Sequence, residues 1–363
     1  MPRVSPILAK ALEPGATIAF ISPSLRLNDV MAATVSRAAN VLTSRGYKVR
    51  ELFTRDTGIQ SCIANRLSEI RTAFLDPTIS AVFCTIGGST FTELLPALLA
   101  DTELHDAIRA NPKVVAGYSD ISGLHWFLYA AAGLRTFYGP GPICELGEAS
   151  SSDEPSSALA FCVRNLFAAI ASREPIGDVE RSLTYAPKVD ACYSDPASLT
   201  PPDLVPSPAW TWLRGGKAQG RLFGGCLTVV ARLAGVQAIV PDWRGRIVFL
   251  ETATGDDDDD SGNPLPRVQA GFADLIAQGV FEEAAGLVVG RPFGYRTEAA
   301  LAKYAGVITG LLCEGRLAAK NPFPILFNID IGHTTPMVTL PFDALAELDS
   351  SKDRFAILES GVA

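Results

Sequence analysis

The chain is 363 residues long, with 48% hydrophobic and 19% charged residues, so it has apolar material for more than one dry core and is not a disordered polymer. A formal net charge of −8, with Lys and Arg scattered, excludes the basic stripe of a nucleic-acid binder. No run of 18 apolar residues and no charged-then-apolar leader suggests a membrane span or secretory signal, and the seven cysteines form no CxxC pair; a cytoplasmic protein with reduced thiols is expected.

In chain order, ATIAFISPS (16–24) reads as a compact apolar strand ending in a Ser-Pro-Ser loop. Asn28 to Arg45 carries apolar residues at helical spacing (Val35, Ala38, Val41, Leu42), with Gly46 placed to end the helix. YKVRELF alternates as a strand, Ile63 to Leu75 puts Leu67, Ile70 and Phe74 on one helical face, and ISAVFCT is a buried strand. FTELLPALLA follows as a short helix, TELHDAIR as a polar helical segment, KVVAGY as a buried strand, ISGLHWFLYAAAG as a helix and LRTFYG as an extended run. This βαβα rhythm, with strands apolar throughout, predicts a flavodoxin- or Rossmann-like parallel sheet covered on both faces over residues 1–172. Ligands of such sheets sit beyond the carboxyl ends of the strands, where TIGGST (85–90) and GYSD (117–120) lie; the two loops should share an edge. No GxGxxG follows the first strand, which argues against a dinucleotide site.

Residues 173–209 change texture: REPIGDVE and DPASLTPPDLVPSPAW are too proline-rich for a helix and read as a linker. Residues 210–363 read as a second, β-rich mixed α/β domain. It contains GRLFGGCLTVVARLAG, the strand GRIVFLETA, a helix near Pro264–Gln278, the strand AGLVVGRP, a helix over Thr297–Glu314, and the short strands FPILFNI, PMVTLPF and RFAILES. The site is expected at the junction of the two domains.

Ser119 stands where a buried strand stops, and a serine hydroxyl needs a base to become a nucleophile. Three histidines are available. His105, in a polar helix, reads as a solvated surface residue. His125, six along a helix from Ser119, points elsewhere and reads as half-buried packing. His333, in NIDIGHTTPMVTLP, follows an extended segment beside a glycine and is the best base of the three, although an ordinary loop histidine fits the spacing as well. Such a base needs an acceptor for its second ring nitrogen. Glu251, ending the apolar run RIVFLE, is the candidate, because a carboxylate at the mouth of a buried strand is costly as mere packing; the competing reading makes it the start of a solvated loop. The order Ser, acid, His is that of the α/β-hydrolases, but their elbow is G-x-S-x-G and position 121 here is isoleucine.

TIGGST, VVAGYSDIS, GRLFGGCL, IVFLETA and GHTTPMVTLP occur in the order and at intervals similar to the motifs of the LD-carboxypeptidase family of serine peptidases. Within it, the chain resembles most the branch of the microcin C self-immunity peptidases, from GATIAFISPS to the terminal strands. The resemblance implies a Ser–Glu–His triad, here Ser119, Glu251 and His333, cleaving an amide or peptide-like bond in a small substrate. It implies an oxyanion hole from the amides of Asp120 and Gly88, with Gly87 permitting close approach. It also implies a homodimer that needs neither metal nor organic cofactor. Murein-trimming members carry an arginine just before the glycine pair, where this chain has Ile86, so murein trimming is an alternative, as is a non-catalytic protein holding a small molecule in the same cleft. Gly87, Ser89, Trp210, Trp212 and Cys226 are candidate substrate contacts; the tryptophans also suit a domain-interface anchor, and Cys226 stands where the family commonly has asparagine. The run Asp256–Asp260 reads as a solvated acidic loop near the site that could repel anionic ligands.

Overall fold

The computed structural model describes residues 6–255 and 261–363; the acidic run 256–260 lies outside the described residues. Strands β1 (Thr17–Ile21), β2 (Lys48–Glu51), β3 (Ile79–Cys84), β4 (Val114–Gly117) and β5 (Phe137–Tyr138) alternate with helices α1 (Ala32–Thr43), α2 (Ile59–Leu75), α3 (Leu95–Ala100), α4 (Thr102–Ala110) and α5 (Ser122–Ala132), followed by α6 (Ala158–Ile170). The strands pair in parallel, in the order β5-β4-β3-β1-β2. Helices cover both faces, so β3 and β4 are buried almost throughout, whereas edge strand β2 (KVRE) is polar and largely exposed. α4 starts on Asp101, whose carboxylate accepts the Leu104 amide, and α5 stops at Gly133 with φ +70°.

The chain then runs through β6 (Gly177–Asp178), β7 (Thr184–Tyr185), β8 (Val205–Pro206) and β9 (Thr211–Arg214) to β10 (Lys217–Cys226), β11 (Arg246–Glu251), β12 (Gly286–Gly290) and β13 (Ile325–Ile329), and ends with β14 (Leu340–Pro341), β15 (Leu345–Asp349) and β16 (Arg354–Ile357). Helices α7 (Leu227–Leu233), α8 (Leu265–Ala277) and α9 (Glu298–Leu312) join the central strands. An eight-stranded sheet results, ordered β6-β16-β15-β10-β11-β12-β13-β9, with β10 to β13 parallel and the flanking strands antiparallel. It curls strongly. β9 lies outside β13 yet is separated from β10 in the chain only by Gly215 and Gly216.

The two halves interlock more than a linker between domains would suggest. β6, inside the proline-rich segment, pairs with β16, and β14 crosses back to extend the first sheet beside β5. Ala363 exchanges backbone hydrogen bonds with Ala9 and Ala11. One hydrophobic core passes through the junction, where Trp126 of α5 lies 5.6 Å from Phe223 and 5.5 Å from Trp243 and donates its indole N–H to the Gly224 carbonyl. A junction this apolar opposes relative motion of the halves. The carboxyl ends of β3, β4 and β5 therefore face those of β10, β11 and β13 across a fixed crevice.

Candidate active site

At the end of β4 the chain turns sharply through Tyr118 and Ser119 into α5. Ser119 adopts φ +65°, a left-handed conformation that is strained for a residue with a Cβ and must be held by its surroundings. Its amide donates to the Tyr138 hydroxyl at 3.1 Å, and its carbonyl accepts from Ser122 Oγ at 2.7 Å. Ser122 Oγ in turn accepts the Cys226 amide of the second sheet at 3.2 Å. The elbow is thus pinned from both halves, with the hydroxyl left facing the crevice.

Ser119 Oγ lies 3.1 Å from His333 Nε2, and His333 Nδ1 lies 2.7 Å from Glu251 Oε2, which also accepts the His333 amide at 3.2 Å. The three side chains, far apart in sequence, form one hydrogen-bonded chain. Glu251 is the last residue of β11 and its carboxylate is fully buried. It reaches His333 because residue 332 is glycine at φ +77°: a Cβ there would fall 2.2 Å from Glu251 Cγ and Cδ. Burial pushes the Glu251 carboxyl up, but the His333 charge and the hydrogen bonds from His333 and Tyr138 outweigh it and hold it below the ordinary range. For His333, burial pulls down while the charge and hydrogen bond of Glu251, with the charge of Glu145, raise it above an ordinary histidine. A carboxylate therefore fixes the ring with its unprotonated nitrogen toward the serine, the arrangement a general base requires.

The glycine pair also arrives. A Cβ on Gly87 would lie 2.6 Å from Ser119 Cβ, 2.8 Å from its Oγ and 3.3 Å from the Asp120 amide nitrogen. One on Gly88 (φ +138°) would strike Ser24 Oγ and Leu25. Only a bare backbone passes so close to the hydroxyl. The fully buried Asp120 carboxylate ties the neighbouring loops together: Ser24 Oγ donates to it at 2.6 Å, the Phe91 amide at 2.8 Å, and Arg232 of α7 from the other half.

Other expected contacts land elsewhere. Trp210 is buried, with its indole N–H on Asp330 at 3.0 Å and Arg181 stacked on its ring at 4.5 Å; Trp212 donates to Asp353 at 2.8 Å. Trp210 also meets Phe355 at 6.5 Å, so both tryptophans are tied to the edges of the second sheet, as the interface-anchor reading expects. Cys226 neighbours Glu251 in register, but it is buried and its thiol faces Thr228 Oγ1 at 3.6 Å. Burial and then the Glu251 charge drive that thiol far above its usual range, the opposite of an activated nucleophile. Ser89 is exposed, its carbonyl accepting from Arg232 at 3.4 Å. His125 is fully rather than half buried, with Nε2 on the Gly117 carbonyl, and His105 is half-buried against the Leu98 carbonyl rather than free in solvent.

Sequence reasoning missed Tyr138, Tyr118 and Glu145. Tyr138 ends β5, and its hydroxyl donates to Glu251 Oε1 at 2.5 Å while accepting from Ser119. The signal was present: LRTFYG is an extended run whose carboxyl end, by sheet topology, falls beside Ser119. Tyr118 presents its ring edge-on to His333 at 5.0 Å and donates to Glu145 Oε1 at 2.6 Å. Beside His333 a small crevice is walled by Tyr185, Phe293 and Tyr295, with the Arg291 guanidinium held by Asp330, Thr334 and the Tyr185 ring. No helix among the described residues is long and apolar enough to cross a membrane.

Comparison with known proteins gives the family and the fold. Residues 18–139 match the model of the LD-carboxypeptidase N-terminal domain and residues 219–348 that of its C-terminal domain. The chain is 27% identical to the microcin C7 self-immunity protein MccF of Escherichia coli, over 98% of this chain and 96% of that one. It is also 27% identical, over 82% of this chain and 77% of the relative, to a Bacillus subtilis protein named "Probable murein peptide carboxypeptidase". A solved structure of MccF in complex with aspartyl sulfamoyl adenosine superposes with a TM-score of 0.82 at 26% identity, covering 99% of this chain and all of that one. With both of its halves matched in sequence and the whole of it matched in fold, the chain belongs to the LD-carboxypeptidase family and is a serine carboxypeptidase-like enzyme.

Proposed function

We propose that the protein cleaves an amide or peptide-like bond through a Ser119–His333–Glu251 triad and an acyl-enzyme. The observation that carries the reading is the unbroken chain from Ser119 Oγ through both nitrogens of His333 to the buried Glu251 carboxylate, at 3.1 and 2.7 Å. His333 Nε2 takes the Ser119 proton as Oγ bonds to the substrate carbonyl carbon. The oxyanion is received by the amides of Gly88 and Asp120, Gly87 leaving room for it. Collapse of the tetrahedral species breaks the C–N bond, and the proton on Nε2 leaves with the amine. A water then gives its proton to His333 and attacks the acyl carbon; Oγ departs and recovers that proton. Glu251 stays ionised throughout and balances the imidazolium.

Aminoacyl nucleoside amides suit the site better than murein peptides. Ile86, before the glycine pair, offers no charge for a terminal carboxylate, and the similarly folded MccF has been solved in complex with aspartyl sulfamoyl adenosine. In this reading the enzyme works in the cytoplasm, supported by cysteines that are all free, and as the homodimer that the family resemblance implies. Turnover of a panel of peptidyl, murein and aminoacyl-nucleoside amides by wild type and Ser119→Ala tests the proposal. It predicts hydrolysis of at least one aminoacyl-nucleoside amide by wild type and none by the variant; equal turnover by both removes the triad.

A further inference from the structure

The triad accounts for one oxygen of Glu251. Oε2 accepts both N–H groups of His333, while Oε1 is held at 2.5 Å by the hydroxyl of Tyr138. That hydroxyl has a single proton, committed to the carboxylate, so its lone pairs are free to accept, and the Ser119 amide donates to it at 3.1 Å. Tyr138 pairs in register with Gly117 on one side and Leu340 on the other, which fixes its backbone. Its ring is gripped from both halves: Phe249 at 5.3 Å and Phe342 at 6.2 Å from the second, His125 and Tyr118 at 6.3 Å from the first. The residue is fully buried, so water does not replace it.

From this placement we infer that Tyr138 is a positioning residue that ties the acid of the triad to the backbone of the nucleophile, fixing Glu251 relative to the strained Ser119 elbow by a path that bypasses His333. The inference rests on the triad reading above. Two consequences distinguish it from simple packing. Ser119 keeps its left-handed conformation in part because its amide has this one buried acceptor. The basicity of Glu251 toward His333 is set by how strongly Tyr138 engages the other oxygen: a stronger donor makes the carboxylate less basic and lowers the pH at which His333 loses its proton, and loss of the donor does the reverse.

Because the natural substrate is unidentified, the probe is a fluorophosphonate, whose phosphorus accepts Ser119 Oγ while fluoride leaves, its labelling rate measured across pH on the full chain. Tyr138→Phe keeps the ring and removes the hydroxyl, leaving the amide and the buried oxygen without partners. Labelling is expected to slow by roughly 10- to 100-fold, the range for losing a hydrogen bond to a charged buried group, and the acid limb to move to higher pH. Incorporation of 3-fluorotyrosine at position 138 strengthens the donor without deleting it and should move the acid limb the opposite way. Should Tyr138→Phe fail to fold, this second protein carries the test alone. Val268→Ala, a cavity in the core of α8 away from the hydroxyl, controls for general loss of stability and should leave the limb in place. If wild type labels at Ser119 but neither change at Tyr138 moves the rate or the limb, the inference fails and the triad stands. If wild type does not label, the triad reading fails and takes the inference with it.

Discussion

Replacing Glu251 by glutamine tests the electrostatics of the site at constant volume. The carboxylate accepts three hydrogen bonds, from His333 Nδ1 at 2.7 Å, the His333 amide at 3.2 Å and Tyr138 at 2.5 Å, and it has nothing to donate. A glutamine must aim its NH2 at one of these groups. Turned toward His333, it meets two N–H donors and drives the ring proton to Nε2, where it faces Ser119 and abolishes the base. Turned toward Tyr138, it leaves the hydroxyl with donors on two sides, and the imidazolium still lacks a counter-charge. Either way one buried donor is unpaired, at about 1–3 kcal/mol of stability. Loss of the tautomer and counter-charge costs about 10⁴-fold in kcat, as in other triads, or ~5.5 kcal/mol of transition-state stabilisation. His333 is raised chiefly by Glu251 against the opposing effect of burial. In the variant burial is opposed only by the smaller effect of the Glu145 charge, so the acid limb of the residual activity should fall toward or below ~6.5. Rates of fluorophosphonate labelling between pH 5 and 9, read beside Tm, measure both effects. A variant that labels within tenfold of wild type with an unmoved limb would show that the carboxylate plays no part in activating the serine.

Gly332→Ala places a Cβ 2.2 Å from Glu251 at a φ of +77°; it should abolish labelling and lower Tm, and normal labelling would mean that the His333 loop has another route to the acid. Glu148 is pushed up to about 8 by burial, then by the Asp190 charge. Its folded pKa lies above the ~4.3 of an unfolded glutamate, so its stabilising effect is complete below that value and lost as pH rises through about 8. Glu148→Gln retains an acceptor for the Leu159 amide (3.0 Å) and cannot ionise. Its Tm advantage should be small at pH 5 and grow toward pH 8, where thermal melts check it; a constant or shrinking difference would refute the assignment.

Much of this site was legible in the chain because its parts end apolar strands. Ser119 after KVVAGY, Glu251 after RIVFL and the glycine pair after AVFCT each break a hydrophobic run with a residue that a buried strand does not otherwise hold, and sheet topology brings such breaks together. His333 was harder, since a loop histidine has no periodicity, and its place beside Ser119 depends on Gly332 and the Glu251 carboxylate beneath it. Tyr138 escaped because a tyrosine at the end of FY satisfies the apolar pattern of β5, so the topology that sets it beside Ser119 gave no reason to ask what its hydroxyl touches. The tryptophans at 210 and 212 left two readings open for a related reason. Aromatics at a junction suit either a ligand or a seam, and the curl of the second sheet, which makes them a seam, depends on contacts with Asp330 and Asp353 far along the chain. The division at residues 173–209 blurred because β6 and β14 each join a sheet that composition alone does not assign them to.

The most direct measurement is intact-mass and peptide mapping of the wild-type protein and of His333→Ala after brief exposure to a fluorophosphonate. One adduct on wild type, located at Ser119 and absent from a folded His333→Ala, is the predicted result. An unlabelled wild type, or equal labelling of both proteins, would mean that the hydroxyl ending β4 is not activated by the imidazole beside it.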